Sequence, residues 1–79
     1  MKNSSEILQI FAMNVRANRI LQGISQEKLA ERAGLHRTYI GMVERAEKNI
    51  TLKNVAKIAS ALKVRPETLL SINTNNNDN

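Results

Sequence analysis

The sequence predicts an all-α fold of five short helices, and three observations support this. Apolar residues recur at spacings of three and four along most of the chain, as on one face of a helix. No segment shows the strict alternation of apolar and polar residues that predicts a strand. The 79 residues are enough for one domain. We expect this domain to cover residues 1–72, followed by a polar and disordered tail over 73–79.

Capping residues predict where the helices begin and end. Gly23 and Gly34 suit the left-handed conformation that ends many helices. The expected N-caps are Ser5, Ser25, Thr51 and, as a weaker cap, His36. The predicted helices cover residues 5–21, 26–33, 37–47 and 52–62, and the last begins at Pro66. In the fourth helix the apolar stripe is Leu52, Val55, Ala56, Ala59 and Leu62.

Composition limits the classes of function. Twelve Lys and Arg against seven Asp and Glu give a net charge of +5, which suits a polyanionic partner. The chain has no Cys and one His, so we expect no disulfide, no metal site and no cofactor. The sequence shows neither a nucleophile with an adjacent base nor a phosphate-binding glycine loop, so we do not expect an enzyme. Without a membrane-spanning run or a signal peptide, the expected location is the bacterial cytoplasm.

Residues 26–45 have the pattern of a helix-turn-helix. Two short helices flank Gly34, and a turn there favours positive φ. Ala30 lies where the two helices would cross and must be small. The other positions expected to face inward are Leu29, Leu35, Ile40 and Val43.

The second helix of this motif has a predicted outward face suited to the major groove of DNA. Arginine binds guanine O6 and N7 bidentately, the Thr methyl meets the thymine methyl, and Gly41 permits close approach. The predicted base contacts are Arg37, Thr38, Gly41, Met42 and Arg45. The alternative is an ordinary solvated helix face, for which Gly41 and Met42 are unusual choices.

Other polar residues around the motif are candidates for the DNA backbone. The free N–H groups at the start of the second helix favour a phosphate. The predicted phosphate contacts are Ser25, Gln26, Tyr39, Lys48 and Asn49, the alternatives being capping for Ser25 and an ordinary connection for the last two. Glu44 is the acidic exception, and we expect it to pair with Arg16 or Arg19 as a structural ion pair.

The segments GISQEKLAERAGL and HRTYIGMVER resemble the Xre/Cro-type repressor family, most of all the controller proteins of restriction-modification systems. The resemblance implies a five-helix, lambda-repressor-like fold that binds a double-stranded operator with two half-sites as a homodimer. It also implies activation or repression of transcription, pairs of dimers on DNA and contact with RNA polymerase, without a small-molecule ligand. Three residues depart from the family pattern: Asn18, Met42 and Arg65, the last at a position where Ser or Asp usually caps a helix.

The last helix supplies the predicted dimer contact because little chain follows to cover its apolar residues. The expected interface consists of Leu62, Val64, Pro66, Leu69, Leu70 and Ile72. The alternative is that these residues only close the core of the monomer. For the whole chain, the competing functions are a phage-type repressor or antitoxin of the same fold, and a helical protein-interaction module without DNA binding.

Overall fold

Five helices form over residues 3–72, the part of the chain that the computed structural model describes, with side chains from Glu6 onward. They are α1 (Asn3–Leu21), α2 (Gln26–Ala33), α3 (Arg37–Glu44), α4 (Leu52–Leu62) and α5 (Pro66–Leu69). No strand occurs among these residues, which confirms the all-α prediction. None of these helices has the length and apolar character needed to cross a membrane. The predicted tail over 73–79 lies outside the described residues, so the domain boundary stays a prediction.

One apolar core joins all five helices. α2 packs against α3 and α4, while α1 contacts α3, α4 and α5. Complete burial of an aliphatic or aromatic side chain stabilises a fold by about 1.5–3 kcal/mol, so these residues dominate the stability. The largest fully buried side chains are Phe11, Val15, Leu29, Ile40, Ile58, Leu62 and Leu69.

Side-chain caps begin α2, α3 and α4, as predicted. Ser25 Oγ accepts from the backbone N–H of Lys28 at 3.0 Å, and Thr51 Oγ1 accepts from that of Asn54 at 3.1 Å. His36 Nδ1 accepts from the N–H of Thr38 at 3.1 Å, so the weaker cap is also formed. The prediction for Ser5 is wrong, because α1 begins at Asn3 and Ser5 lies inside its first turn.

Left-handed residues end the four longer helices. Gly23 and Gly34 have φ of +71° and +70°, as predicted. Ala46 and Lys63 adopt the same conformation, with φ of +57° and +61°, although each carries a Cβ. For an L-residue with a Cβ this conformation costs roughly 1–2 kcal/mol. Alanine and lysine rarely adopt this conformation, so the sequence does not predict the turns at positions 46 and 63.

The C-terminal end of α3 differs from the prediction for this reason. The helix stops at Glu44 rather than at residue 47. The N–H of Ala46 donates to Val43 O at 3.0 Å and that of Glu47 to Met42 O at 2.9 Å, which closes a Schellman turn. Ala46 and Glu47 thus leave the helical path, whereas the N–H of Arg45 still donates to Gly41 O at 3.2 Å. A helical wheel therefore does not describe where the side chains of residues 46 and 47 lie.

The buried face of α4 is rotated from the predicted stripe. Leu52 is 81% exposed and Ala56 is also exposed, whereas Ile58 and Ala61 are buried. The face centres on Val55, Ile58 and Leu62 because α4 packs against α1 and α5 as well as α2. Leu52 and Ala56 lie at its edge.

α5 has only four residues and is held by α1. Arg65 gives it no side-chain cap, consistent with the family departure at this position. Asn14 Nδ2 instead donates to the carbonyls of Leu69 and Ser71, each at 2.9 Å. The amide of Asn18 is also satisfied, since its Nδ2 donates to Asn14 O at 2.8 Å. A polar patch of α1 therefore binds the end of α5 directly.

The left-handed turn after α3 makes a matched pair of substitutions informative. Ala46→Gly removes the Cβ at positive φ and should raise the free energy of unfolding by about 0.5–1 kcal/mol. Ala56→Gly, at an exposed position inside α4, should lower it by about 0.5–1 kcal/mol. Urea unfolding of both variants measures these changes. Two changes of the same sign would contradict the turn geometry.

Candidate nucleic-acid interface

α2, the turn at Gly34 and α3 form the predicted helix-turn-helix. Ala30, 3% exposed, lies in the α2 face that packs on α3 and α4. Leu29, Ile40 and Val43 are buried, and Leu35 packs against the same core. The inward positions predicted from spacing are therefore confirmed, and α3 is held with its other side toward solvent.

A buried carboxylate ties α3 to the two helices before it. Glu44 Oε2 accepts from Arg19 Nε at 2.7 Å, and its Oε1 accepts from Arg19 Nη2 at 3.0 Å. The same Oε1 accepts from Gln26 Nε2 at 3.0 Å. The Glu44 side chain is 3% exposed and that of Arg19 13%. The hydrogen bond to Glu44 raises the pKa of Arg19 above its ordinary value. This confirms the structural role predicted for Glu44, with Arg19 rather than Arg16 as partner.

Arg37 and Arg45 are exposed, and each faces one carboxylate. Arg37 Nε lies 3.6 Å from Glu27 Oε2. Arg45 Nε lies 3.1 Å from Glu47 Oε1, and the two side chains are 58% and 52% exposed. Thr38 is exposed and Met42 half-buried on the same helix. The two arginines and Thr38 are thus accessible to a large ligand, and their contact with bases stays a prediction.

Gly41 is buried, contrary to its predicted place on the outward surface. The reason is the neighbouring side chains rather than the direction of the residue. A Cβ built at Gly41 would lie 3.3 Å from Arg45 Nη1 and 3.7 Å from Gln26 Oε1. Both side chains therefore cover the backbone of α3, and direct approach of a base to Gly41 would require them to move.

The predicted phosphate contacts occupy three separate places. Ser25 and Gln26 are at the start of α2, where the N–H of Lys28 is capped and Gln26 is bound to Glu44. Tyr39 packs against the core, and its hydroxyl oxygen accepts from Asn54 Nδ2 at 3.1 Å. Lys48 and Asn49 are exposed in the connection between α3 and α4. Contact of all five residues with DNA phosphates stays a prediction.

Three residues that orient the site were missed from the sequence. Glu27 and Glu47 face the two exposed arginines, and Asn54 fixes the Tyr39 hydroxyl. Glu47 was assigned to the helix, so its position beside Arg45 could not be inferred. Asn54 lies 15 residues from Tyr39 and meets it only because α4 folds back beside α3. No local pattern could have predicted that pair.

Comparison with known proteins decides the family. A family model described as helix-turn-helix matches residues 15–69, more than half of the chain. The chain belongs to the helix-turn-helix family. The control protein C.SmaI of Serratia marcescens is 50% identical over 66 residues, covering 84% of this chain and 79% of the relative. The chain is thus a relative of the restriction-modification controller proteins, as its motifs indicated.

Solved structures agree with this assignment. The controller protein C.AhdI from Aeromonas hydrophila matches with a TM-score of 0.76 and 44% identity, over 78% of this chain and 94% of that chain. The controller protein C.Esp1396I matches with a TM-score of 0.75 and 32% identity, over 80% and 83% of the two chains. In that structure C.Esp1396I is a tetramer bound to its natural 35 base-pair operator.

The predicted dimer interface of this helix-turn-helix protein needs correction at two positions. Leu62 and Leu69 are both 0% exposed and lie in the core, so neither is accessible to a partner. Val64 and Leu70 are half-buried against that core. Pro66 is exposed, and Ile72 is 67% exposed. The last helix closes the monomer and also leaves apolar surface outside it.

The Glu44 network predicts a large difference between two changes of the same kind. Glu44→Ala leaves the mostly buried Arg19 side chain without its carboxylate and should lower the free energy of unfolding by about 3 kcal/mol or more. Glu31→Ala removes an exposed carboxylate paired with Lys28 and should cost less than about 1 kcal/mol. Urea unfolding compares the two variants. Equal losses would show that the buried pair does not hold the motif together.

Proposed function

We propose that this protein is a sequence-specific regulator that binds double-stranded DNA and controls transcription in a restriction-modification system, its own gene included. The observation that carries the proposal is the exposure of Arg37, Thr38 and Arg45 on a helix-turn-helix whose interior is fully packed. The net charge of +5 favours the same polyanionic partner. α3 then enters the major groove as the recognition helix.

The exposed ion pairs leave the two arginines available to DNA. Pairs at the protein surface contribute about 0–1 kcal/mol, since water solvates both charges. A bidentate contact between arginine and guanine contributes more, about 1–3 kcal/mol of discrimination against another base. Glu27 and Glu47 therefore orient Arg37 and Arg45 in the free protein and release them when a base edge or phosphate takes their place.

Phosphate contacts at α2 and α3 would fix the register of the recognition helix. The N-terminus of α2 presents backbone N–H groups, and the second hydrogen of Gln26 Nε2 is free to donate beside them. The Tyr39 hydroxyl accepts from Asn54, so its own proton is available for a phosphate oxygen. Lys48 and Asn49 extend the same surface beyond α3. These contacts position the protein, while Arg37, Thr38, Met42 and Arg45 read the bases.

We assign the active form to a homodimer on a pseudo-palindromic operator. Two recognition helices of this motif reach half-sites about 34–36 Å apart. The dimer contact uses the apolar surface around Val64, Pro66, Leu70 and Ile72. The relative C.Esp1396I assembles as a tetramer on its operator, and two dimers on one operator are proposed here too.

The regulator would act in the bacterial cytoplasm, where the DNA is, through access or recruitment of RNA polymerase. It would work by binding, without catalysis, a cofactor or a small-molecule ligand. The buried apolar cluster that holds the helices together and the exposed arginines suit recognition. Whether activation or repression dominates depends on where the operator lies relative to the promoter.

Base reading by the two arginines is tested with a duplex that the wild-type protein selects from a random-sequence library. Arg37→Ala and Arg45→Ala should each weaken binding by about 1–3 kcal/mol, measured by fluorescence anisotropy at one salt concentration. Arg32→Ala is the matched control, because Arg32 is in the last turn of α2, away from Gln26. If both arginine variants bind like the wild type, the outward face of α3 does not read the bases.

The dimer contact is tested at a residue that the monomer does not bury. Ile72→Asp should give a monomer in analytical ultracentrifugation with its helical content unchanged, since Ile72 is 67% exposed. Leu52→Asp, at a residue 81% exposed on α4, is the comparison and should remain dimeric. A monomer produced by Leu52→Asp alone would move the interface from α5 to α4.

A further inference from the structure

Gly41 occupies the middle of α3, where glycine destabilises a helix relative to any ordinary residue. Its lack of a side chain is not required by the backbone, because positive φ in the described residues occurs only at positions 23, 34, 46 and 63. The core does not require it either, since the atoms nearest to a Cβ at Gly41 belong to the polar side chains of Gln26 and Arg45. The space above Gly41 is used by those two side chains.

The Arg45 side chain turns back along α3 to reach that space. Arg45 is the first residue after the helix, yet its Nη1 lies 3.3 Å from where a Cβ of Gly41 would be. Its Nε is held by Glu47 at 3.1 Å. A contact of 3.3 Å to a carbon is tighter than most Cβ contacts, so a Cβ at position 41 requires the guanidinium to shift by a few tenths of an ångström, and a longer side chain requires a larger shift. The guanidinium therefore lies close to Gly41, with Glu47 on its Nε and Gln26 Oε1 beside the same space.

We propose that Gly41 is a specificity-determining position that acts through Arg45. Because Gly41 has no side chain, the Arg45 guanidinium can occupy the space above it, which we call the seat. The seat determines the position along α3 from which Arg45 contacts DNA. Gln26 Oε1 borders the seat, and the hydrogen bond from Gln26 Nε2 to buried Glu44 orients that side chain. Gly41 itself touches no base. The inference rests on the proposed function, because it concerns how a DNA-binding arginine is placed.

The test is a double-mutant cycle between positions 41 and 45 on the selected duplex. Arg45→Ala should weaken binding roughly 5- to 150-fold. Gly41→Gln fills the seat with a good helix former and should weaken binding by a similar factor. In the double variant the second change should add nothing, because Arg45 is already absent. Gly41→Ala, with a smaller displacement, should give a smaller loss.

A melting temperature measured alongside separates positioning from damage to the fold. Gly41→Ala and Gly41→Gln should both raise it, because alanine and glutamine are better helix formers than glycine. Ser60→Ala, an exposed change in α4, is the control in which higher helix propensity should leave DNA affinity unchanged. A more stable protein with weaker, Arg45-dependent binding is the expected result.

Several outcomes would overturn the inference. If the Gly41→Gln variant binds the duplex like the wild type, the seat has no role in DNA binding. A loss that persists in the Arg45→Ala background shows a direct clash with DNA instead. Unchanged binding by Arg45→Ala removes the residue through which Gly41 acts. Wild-type protein that selects no duplex overturns the proposed function together with this inference, whereas the other three results leave DNA binding intact.

Discussion

The arrangement of the helix-turn-helix depends on the carboxylate of Glu44. A buried carboxylate without partners is strongly unfavourable, so the fold is stable only where its oxygens receive hydrogen bonds. Arg19 supplies two from α1 and Gln26 supplies one from α2. Arg19 also donates to the carbonyl of Ile24, in the connection between these helices. Apolar packing would tolerate small shifts of α3, whereas this network requires one position relative to α1 and α2.

Rigidity inside the motif contrasts with the exposed ion pairs around it. Gln26 is oriented by Glu44 before any ligand arrives, so little conformational entropy is lost if it binds a phosphate. Arg37 is held only by an exposed carboxylate, whereas Arg45 is held by another and also lies over Gly41; the exposed pairs exchange readily with other partners. The buried network thus fixes where the recognition helix lies. The exposed pair with Glu27 leaves Arg37 free to adjust to base edges and phosphates.

Local chemistry explains which features the sequence predicts well. Both ends of α2 were predicted correctly because Ser25 and Gly34 act on adjacent backbone groups. The end of α3 was placed too late because Ala46 adopts a conformation that its residue type disfavours. Gly41 was assigned to an accessible surface because spacing gives its direction but not the reach of Arg45 and Gln26 across it. Leu62 and Leu69 were assigned to an interface because an apolar pattern alone does not tell a core from a contact surface.

The short helix α5 contributes both to the stability of the monomer and to the proposed dimer. Four residues make too short a helix to be stable alone, and Arg65 provides no side-chain cap. Leu69 in the core and Asn14 on α1 hold it in place. Under the proposed dimer, a second copy covers the remaining apolar surface of this segment and stabilises it further. Dimerisation would then strengthen the fold as protein concentration rises, so operator occupancy would respond steeply to the amount of regulator.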